Sequence, residues 1–331
     1  MADKGLVVVT GASGFVGKWV VIELLKAGYR VRGTVRSDAK AAQVRATVTQ
    51  LLGAEAASRL ETCQVDLLDD KGWPEAMAGA VAVMHVATQI LGDEPKDPSI
   101  VIRPAVEGTE RALRFAHAAG IKRVVITSSI ATVGYGHGQT SGRKVYDETY
   151  FTNLENMRWT WAYCIGKTRA ERAAWDFVAQ NPALELASVL PGMIQGPVLG
   201  ADYALSVEIV AQLLRGNPPR YPTPGIEMVD VRNLADLHVL AMTSPVAAGE
   251  RFLASTAHVT FADMARTLRE HFGDRAPAIP DVGPPPVSAS VEFSSAKARE
   301  RLGWRTLPIA QTIIDTAESL IAVGAVGLNA T

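Results

Sequence analysis

Thr10-Gly11-Ala12-Ser13-Gly14-Phe15-Val16-Gly17 follows the β-branched run Leu6-Val7-Val8-Val9 and opens a helical pattern with Val16, Val20, Val21, Leu24 and Leu25 on one face and Gly28 at its end. Strand, glycine turn and helix in that order begin a βαβ unit. Gly11 would turn the chain, Gly14 would let backbone approach a ligand, and Gly17 would pack helix on strand. The free N–H groups and positive dipole at the helix start, with Ser13, Phe15 and Val16 lining it, suit a pyrophosphate. The spacing is G-x-x-G-x-x-G, not the G-x-G-x-x-G fingerprint, and a tight turn alone could explain the glycines. Position decides for the ligand, because the pattern sits between a first strand and a first helix.

Outward from this turn the alternation continues. Strands are read at residues 30–35, 60–65, 81–86, 123–127 and 184–190, with helices at 39–52, 73–78, 99–119 and 160–178. Pro104 should break or kink the start of the helix over residues 99–119. At least six strands result, and the fold class is α/β, a doubly wound parallel sheet of the Rossmann kind. Beyond Pro191 the chain turns Pro-rich (Pro197, Pro218, Pro219, Pro222, Pro224, Pro277, Pro280, Pro284-Pro285-Pro286), with helical patterns at 207–215, 234–243, 261–272 and 309–323. Residues 1–190 are therefore expected to bind the cofactor and carry the catalytic groups. Residues 191–331 should form mainly a smaller substrate-binding lobe, with some segments returning to the sheet.

Composition limits the function classes. The 331 residues are 48% hydrophobic and 20% charged, with 33 Lys plus Arg against 34 Asp plus Glu, so no basic field marks nucleic acid as a partner. Cys63 and Cys164 offer neither a disulfide framework nor a metal-ligand pair, which suits a reducing compartment. Only a few residues, Met1 to Lys4 and Gly5, precede the first apolar run, and stretches such as Ala80 to Ala87 or Ile321 to Leu328 are far short of a membrane span. A cytoplasmic protein without membrane contact is expected, as a monomer or homodimer.

Arg36 ends the second strand, where an NAD site usually places Asp or Glu. A guanidinium can bind a 2'-phosphate and stack on adenine, so NADP(H) is expected over NAD despite Asp38 nearby. Asp66-Leu67 follows the third strand; its carboxylate could meet the adenine amino group or cap the next helix. His85-Val86-Ala87-Thr88 closes the fourth strand, so Ala87 and Thr88 should border the pyrophosphate and nicotinamide ribose, with His85 as packing.

Among seven tyrosines only Tyr163 has a lysine four residues on, in Tyr163-Cys164-Ile165-Gly166-Lys167. Residues i and i+4 share a helix face. This helix follows the strand ending Thr127-Ser128-Ser129, and the Gly- and Tyr-rich segment 128–156 between them is long enough to be functional. In carbonyl reduction negative charge grows on oxygen, so a proton donor and a second hydrogen-bond donor should meet there. Tyr163 would give the proton, Lys167 would lower the phenol pKa and hold the ribose, and Ser129 would position the oxygen. Ser128 is the rival, because neighbouring strand residues face opposite ways.

Together these stretches resemble the extended short-chain dehydrogenase/reductases. They look most like the branch of dihydroflavonol reductases, cinnamoyl-CoA reductases and microbial NADPH-dependent aldehyde and ketone reductases. The resemblance also takes in Thr168-Arg169-Ala170-Glu171-Arg172-Ala173-Ala174-Trp175, Pro191-Gly192 and Leu302-Gly303-Trp304. It implies Ser129, Tyr163 and Lys167 as catalytic residues, Pro191, Gly192 and Ser206 as cofactor neighbours alongside Thr127, and Lys40 as a candidate second phosphate ligand. Gln89, Gly134 and Met228-Val229-Asp230-Val231-Arg232 depart from the plant flavonoid pattern, which favours a small or medium aldehyde or ketone. The substrate pocket is expected at residues 89–93, 133–136, Met193 and 221–228, including Gln89, Val133, Gly134, Tyr135, Tyr221 and Met228. An NADPH-dependent carbonyl reductase is the favoured reading. An NAD-dependent nucleotide-sugar epimerase or dehydratase, and a non-catalytic NADP-binding redox sensor, are the alternatives.

Overall fold

The structure, a computed structural model, describes residues 4–138, 144–157, 161–219, 221, 223–283 and 291–327. Thr160, Pro222, Pro284-Pro285-Pro286 and Leu328 of the sequence reading lie outside them. In chain order the first half holds β1 (Leu6–Thr10), α1 (Phe15–Lys26), β2 (Arg30–Val35), α2 (Asp38–Ala57), β3 (Leu60–Gln64), α3 (Trp73–Met77), β4 (Ala80–His85), α4 (Ser99–Ala118), β5 (Arg123–Thr127), β6 (Lys144–Tyr146) and α5 (Ala162–Gln180). The second half holds β7 (Glu185–Pro191), β8 (Met193–Gln195), α6 (Glu208–Leu214), β9 (Gly225–Asp230), α7 (Val231–Thr243), β10 (Glu250–Ala254), β11 (Ala257–Thr260), α8 (Phe261–Phe272), β12 (Val291–Phe293), α9 (Ala296–Leu302) and α10 (Ile309–Ala322).

Seven of the described strands form one parallel sheet in the order β10-β7-β5-β4-β1-β2-β3. In its interior lies β1, where Val7, Val8 and Val9 are fully buried, as a strand covered on both faces requires. One face packs on α1 and α7 through Val20, Val21, Leu24, Leu234 and Leu237. The other packs on α3, α4 and α5 through Trp73, Met77, Leu113 and Ala174. Each Val, Leu or Met side chain among them contributes about 1.5–3 kcal/mol by leaving water. Strand order reverses between β1 and β4, and the crevice beyond their carboxyl ends is where ligands of such sheets bind.

Both β10 and α7 lie beyond Pro191 yet belong to the layers of the main sheet. The remaining C-terminal elements build a three-stranded sheet, β11-β9-β8, with α6, α8 and α10 around Leu213, Met264, Leu268 and Leu320. Two expectations change. Helix α4 runs on through Pro104 as one element: the missing N–H costs only the bond to the carbonyl of Ile100 in an exposed first turn, while Val101, Ala105 and Thr109 anchor the buried face. Segment 128–156 is not a plain loop either, since β6 within it pairs in parallel with β12, a three-residue strand too short for periodicity to reveal.

Candidate active site

The turn after β1 is held closed from several sides. The Thr10 hydroxyl accepts from the N–H groups of Val86 and Ala87, both at 3.0 Å, tying the ends of β1 and β4 together. Gly11 adopts φ +67, and a Cβ there would lie 2.9 Å from Ala87 Cα. At Gly17 a Cβ would stand 2.1 Å from the Gly11 carbonyl oxygen, so the helix can approach the turn only without a side chain. Gly14 is the N-cap of α1 and has no side chain to cap with, and no acidic residue occupies the first turn. The first-turn donors are thus left for a ligand, and the cradle fits a pyrophosphate. Ser13, Phe15 and Val16 stay partly accessible beside it.

Arg36 is exposed at the end of β2. The following Ser37 caps α2, accepting from Lys40 N, and Lys40 forms an ion pair with Asp202. Asp66 uses one carboxylate oxygen to accept from Leu68 N at 2.8 Å; it closes its own turn, whereas Gly72 occupies the N-cap of α3. Leu67 is half-buried against α4. Ala87 and Thr88, with His85, Thr127, Ser128 and Lys167, line a small cavity at the carboxyl ends of β4 and β5. His85 is packing: its Nδ1 bonds to the Thr10 hydroxyl at 2.9 Å, and burial, helped by the Lys167 charge, pulls its pKa down to about 3.

Tyr163 and Lys167 occupy one face of α5, as their spacing predicts, and reach the end of β5. Lys167 is 8% exposed and donates through Nζ to the Thr127 carbonyl at 2.7 Å. Burial lowers its pKa to about 8, while the Glu171 carboxylate pulls the other way. The two serines separate. Ser128 is turned inward and donates to Glu171 at 2.7 Å, whereas the Ser129 hydroxyl accepts from Ala131 N at 3.1 Å and lies close enough to the Tyr163 phenol to favour its ionised form. The Tyr163 pKa is raised, because burial outweighs the opposing effect of the Ser129 hydroxyl.

Behind these groups lies an ion pair that sequence reasoning missed. Glu171, 1% exposed, takes Arg251 Nε at 2.8 Å and the Ser188 hydroxyl at 2.8 Å. Burial pushes its pKa up, but the Arg251 charge and the surrounding hydrogen bonds outweigh it and leave the carboxylate ionised. Arg251 also donates to the Glu148 and Tyr150 carbonyls, each at 2.7 Å, and lies 3.7 Å over the Phe151 ring. A signal existed: Glu171 repeats the four-residue step of Tyr163 and Lys167.

The residues expected around a substrate divide. Tyr135 packs edge-on against Trp161 at 5.3 Å between ring centres, and Trp161 meets Tyr163 at 5.6 Å, so an aromatic wall flanks the phenol. Trp161, two residues before Tyr163, was not singled out in the sequence. Burial raises the Tyr135 pKa to about 12. Gln89 is exposed near the carboxyl end of β4, Met193 is half-buried against the lobe core, and Gly134 lies against the Phe293 ring. Tyr221 is 41% exposed and packs on Phe261. Val133 and Met228 do not line a pocket: both are fully buried, Val133 with Tyr146, Leu190 and Leu253, Met228 in the lobe core. Pro191 ends β7, Gly192 N bonds to the Ala254 carbonyl at 3.0 Å, and the Ser206 hydroxyl donates to the Ile194 carbonyl at 2.7 Å.

Comparison with known proteins agrees with this arrangement. The model of the "NAD dependent epimerase/dehydratase family" matches residues 7–254. The chain is 38% identical over 315 residues to cinnamoyl-CoA reductase 1 of Oryza sativa subsp. japonica, covering 94% of this chain and 89% of that one. It is 35% identical over 312 residues to dihydroflavonol 4-reductase of Zea mays, covering 90% and 83%. The solved structure of yeast methylglyoxal/isovaleraldehyde reductase Gre2 in complex with NADPH superposes with a TM-score of 0.84 at 26% identity, over 97% of this chain and 99% of that one. Glycine turn, sheet order and these matches together establish that the chain belongs to the NAD dependent epimerase/dehydratase family, the extended short-chain dehydrogenase/reductases.

Proposed function

We propose that this protein is an NADPH-dependent reductase that converts an aldehyde or ketone to an alcohol, with Tyr163 as proton donor. The observation that carries the reading is the meeting of the Ser129 hydroxyl and the Tyr163 phenol at the end of β5, one helical turn from the buried Lys167 ammonium. NADPH bound on the glycine turn would supply the hydride. The related proteins named as reductases, one of them in complex with NADPH, support the same reaction class.

Each side chain has a task that its surroundings support. The raised pKa keeps the Tyr163 phenol protonated at neutral pH, ready to give its proton to the substrate oxygen as negative charge grows there. Ser129 donates to the same oxygen. Lys167, fixed at Thr127, would hold the ribose hydroxyls and supply positive charge on the face of α5 that carries the phenol. Arg36 would pair with the 2'-phosphate. Tyr135 and Trp161 would form the apolar side of the pocket, with residues 89–93 and the lobe beyond Pro191 opposite them.

The test is NADPH consumption by the purified protein against aldehydes, keto esters, aryl ketones and hydroxycinnamoyl thioesters. Tyr163→Phe should lower turnover by roughly 10²–10⁴-fold while NADPH still binds. Full activity in that variant, or preference for NADH, would overturn the reading.

A further inference from the structure

A strap from the C-terminal half lies across the basic end of the phosphate seat. The Pro197 carbonyl accepts from Trp19 Nε1 at 3.0 Å, and the Leu199 carbonyl accepts from Lys18 Nζ at 3.3 Å. Three residues on, the Asp202 carboxylate ion-pairs with Lys40. Gly200, at φ +138, gives the strap the backbone freedom to pass close to Lys18; a Cβ there would lie 4.0 Å from its Nζ.

The charges gathered at this place are unequal. Lys18 is 6% exposed, and burial lowers its pKa while Asp202 works to restore it. The hydrogen bond and charge of Lys40 hold the Asp202 carboxyl below its ordinary range, and Lys18 and Arg36 add to the effect. Lys18, Arg36 and Lys40 thus act together on one carboxylate, and that carboxylate is 70% exposed at its side chain, on the strap rather than on the sheet. Three cations around a single acid leave room for more negative charge, but Lys40 cannot keep a carboxylate and take up a phosphate dianion without setting two anions side by side.

We propose that Asp202 is a cofactor-specificity residue: its carboxylate stands on Lys40 where a 2'-phosphate would pair, and must give way when that phosphate binds. The inference rests on the NADPH reading above. It makes affinity for NADPH lower than the cations alone would give, and leaves NADH, which has a plain 2'-hydroxyl, nearly unaffected. Lys18 joins Arg36 and Lys40 as a contributor to the phosphate site.

Binding measured without turnover tests it. Kd values for adenosine 2',5'-bisphosphate, AMP, NADPH and NADH would be obtained by titration calorimetry for the wild type, Asp202→Asn and Asp202→Glu. Asp202→Asn should tighten adenosine 2',5'-bisphosphate and NADPH by roughly three- to tenfold, leave AMP and NADH within about twofold, and Asp202→Glu should stay close to wild type. If the wild type prefers the bisphosphate to AMP but Asp202→Asn leaves that preference unchanged or weakens it, this proposal alone falls. If the wild type binds the bisphosphate no better than AMP, the NADPH reading falls and this proposal with it.

Discussion

Replacing Lys167 with Met should uncouple one part of the protein's pH dependence. Burial brings the ammonium from 10.5 down to about 8 in the folded chain, with Glu171 opposing. The unfolded chain holds that proton up to 10.5, so this lysine costs stability fully below pH 8 and the cost is relieved as pH rises from 8 towards 10.5. At about 1.4 kcal/mol per pKa unit the full cost is about 3 kcal/mol. Met keeps most of the volume and removes the charge. It also removes the 2.7 Å bond to the Thr127 carbonyl, a loss of about 1–3 kcal/mol, so the sign of the change at pH 7 is set by two opposed effects of similar size.

The pH dependence is free of that ambiguity. From pH 7 to 9.5 the wild type should gain about 2 kcal/mol relative to Lys167→Met, because only the wild type sheds a proton on folding in that window. Thermal unfolding of both ligand-free proteins at the two pH values reads the difference directly, as a wild-type Tm that moves by a few degrees in its favour relative to the variant between pH 7 and 9.5. A Tm difference that stays constant would mean that Lys167 does not titrate near 8. The variant should also fail to consume NADPH at either pH.

Two further perturbations bear on the same site. Gly17→Ala puts a methyl 2.1 Å from the Gly11 carbonyl oxygen, so the turn must open, and NADPH binding measured by fluorescence should fall by at least about tenfold; unchanged binding would show the turn to be slack. Arg251→Met strands the buried Glu171 carboxylate and should cost about 3–5 kcal/mol at pH 7. Its Tm deficit should shrink at pH 5, where the unopposed burial lets Glu171 take up a proton, and a deficit independent of pH would assign the loss to packing alone.

The parts of the fold that repeat were legible in the sequence. Strand β1, the turn and α1 follow from one apolar run, one glycine pattern and one 3.6-residue period, and Tyr163 with Lys167 from a single spacing. Choosing between Ser128 and Ser129 required the register of β5 against Glu171, which no local pattern contains. Val133 and Met228 pass for pocket residues in the sequence because apolar side chains look alike there whether they face a ligand or a core; burial distinguishes them. Glu171 with Arg251, and Lys40 with Asp202, are pairs separated by 80 and 162 positions, and such partners become visible only once the chain is folded.

That separation says something about how the site is held. A buried lysine is tolerable beside a buried glutamate, and the glutamate stays ionised because Arg251 reaches it from β10. The same guanidinium holds the Thr132 hydroxyl at 3.1 Å and the carbonyls of Glu148 and Tyr150, fixing the chain just after Ser129 and the segment leading towards α5. Strand β10 belongs to the part of the chain beyond Pro191, and so does the strap that carries Asp202. The first 190 residues therefore hold Lys167 together with Glu171, while the guanidinium that keeps Glu171 ionised comes from beyond Pro191. A boundary drawn at Pro191 divides the chain by composition, while the electrostatics of the site make the two halves a single unit.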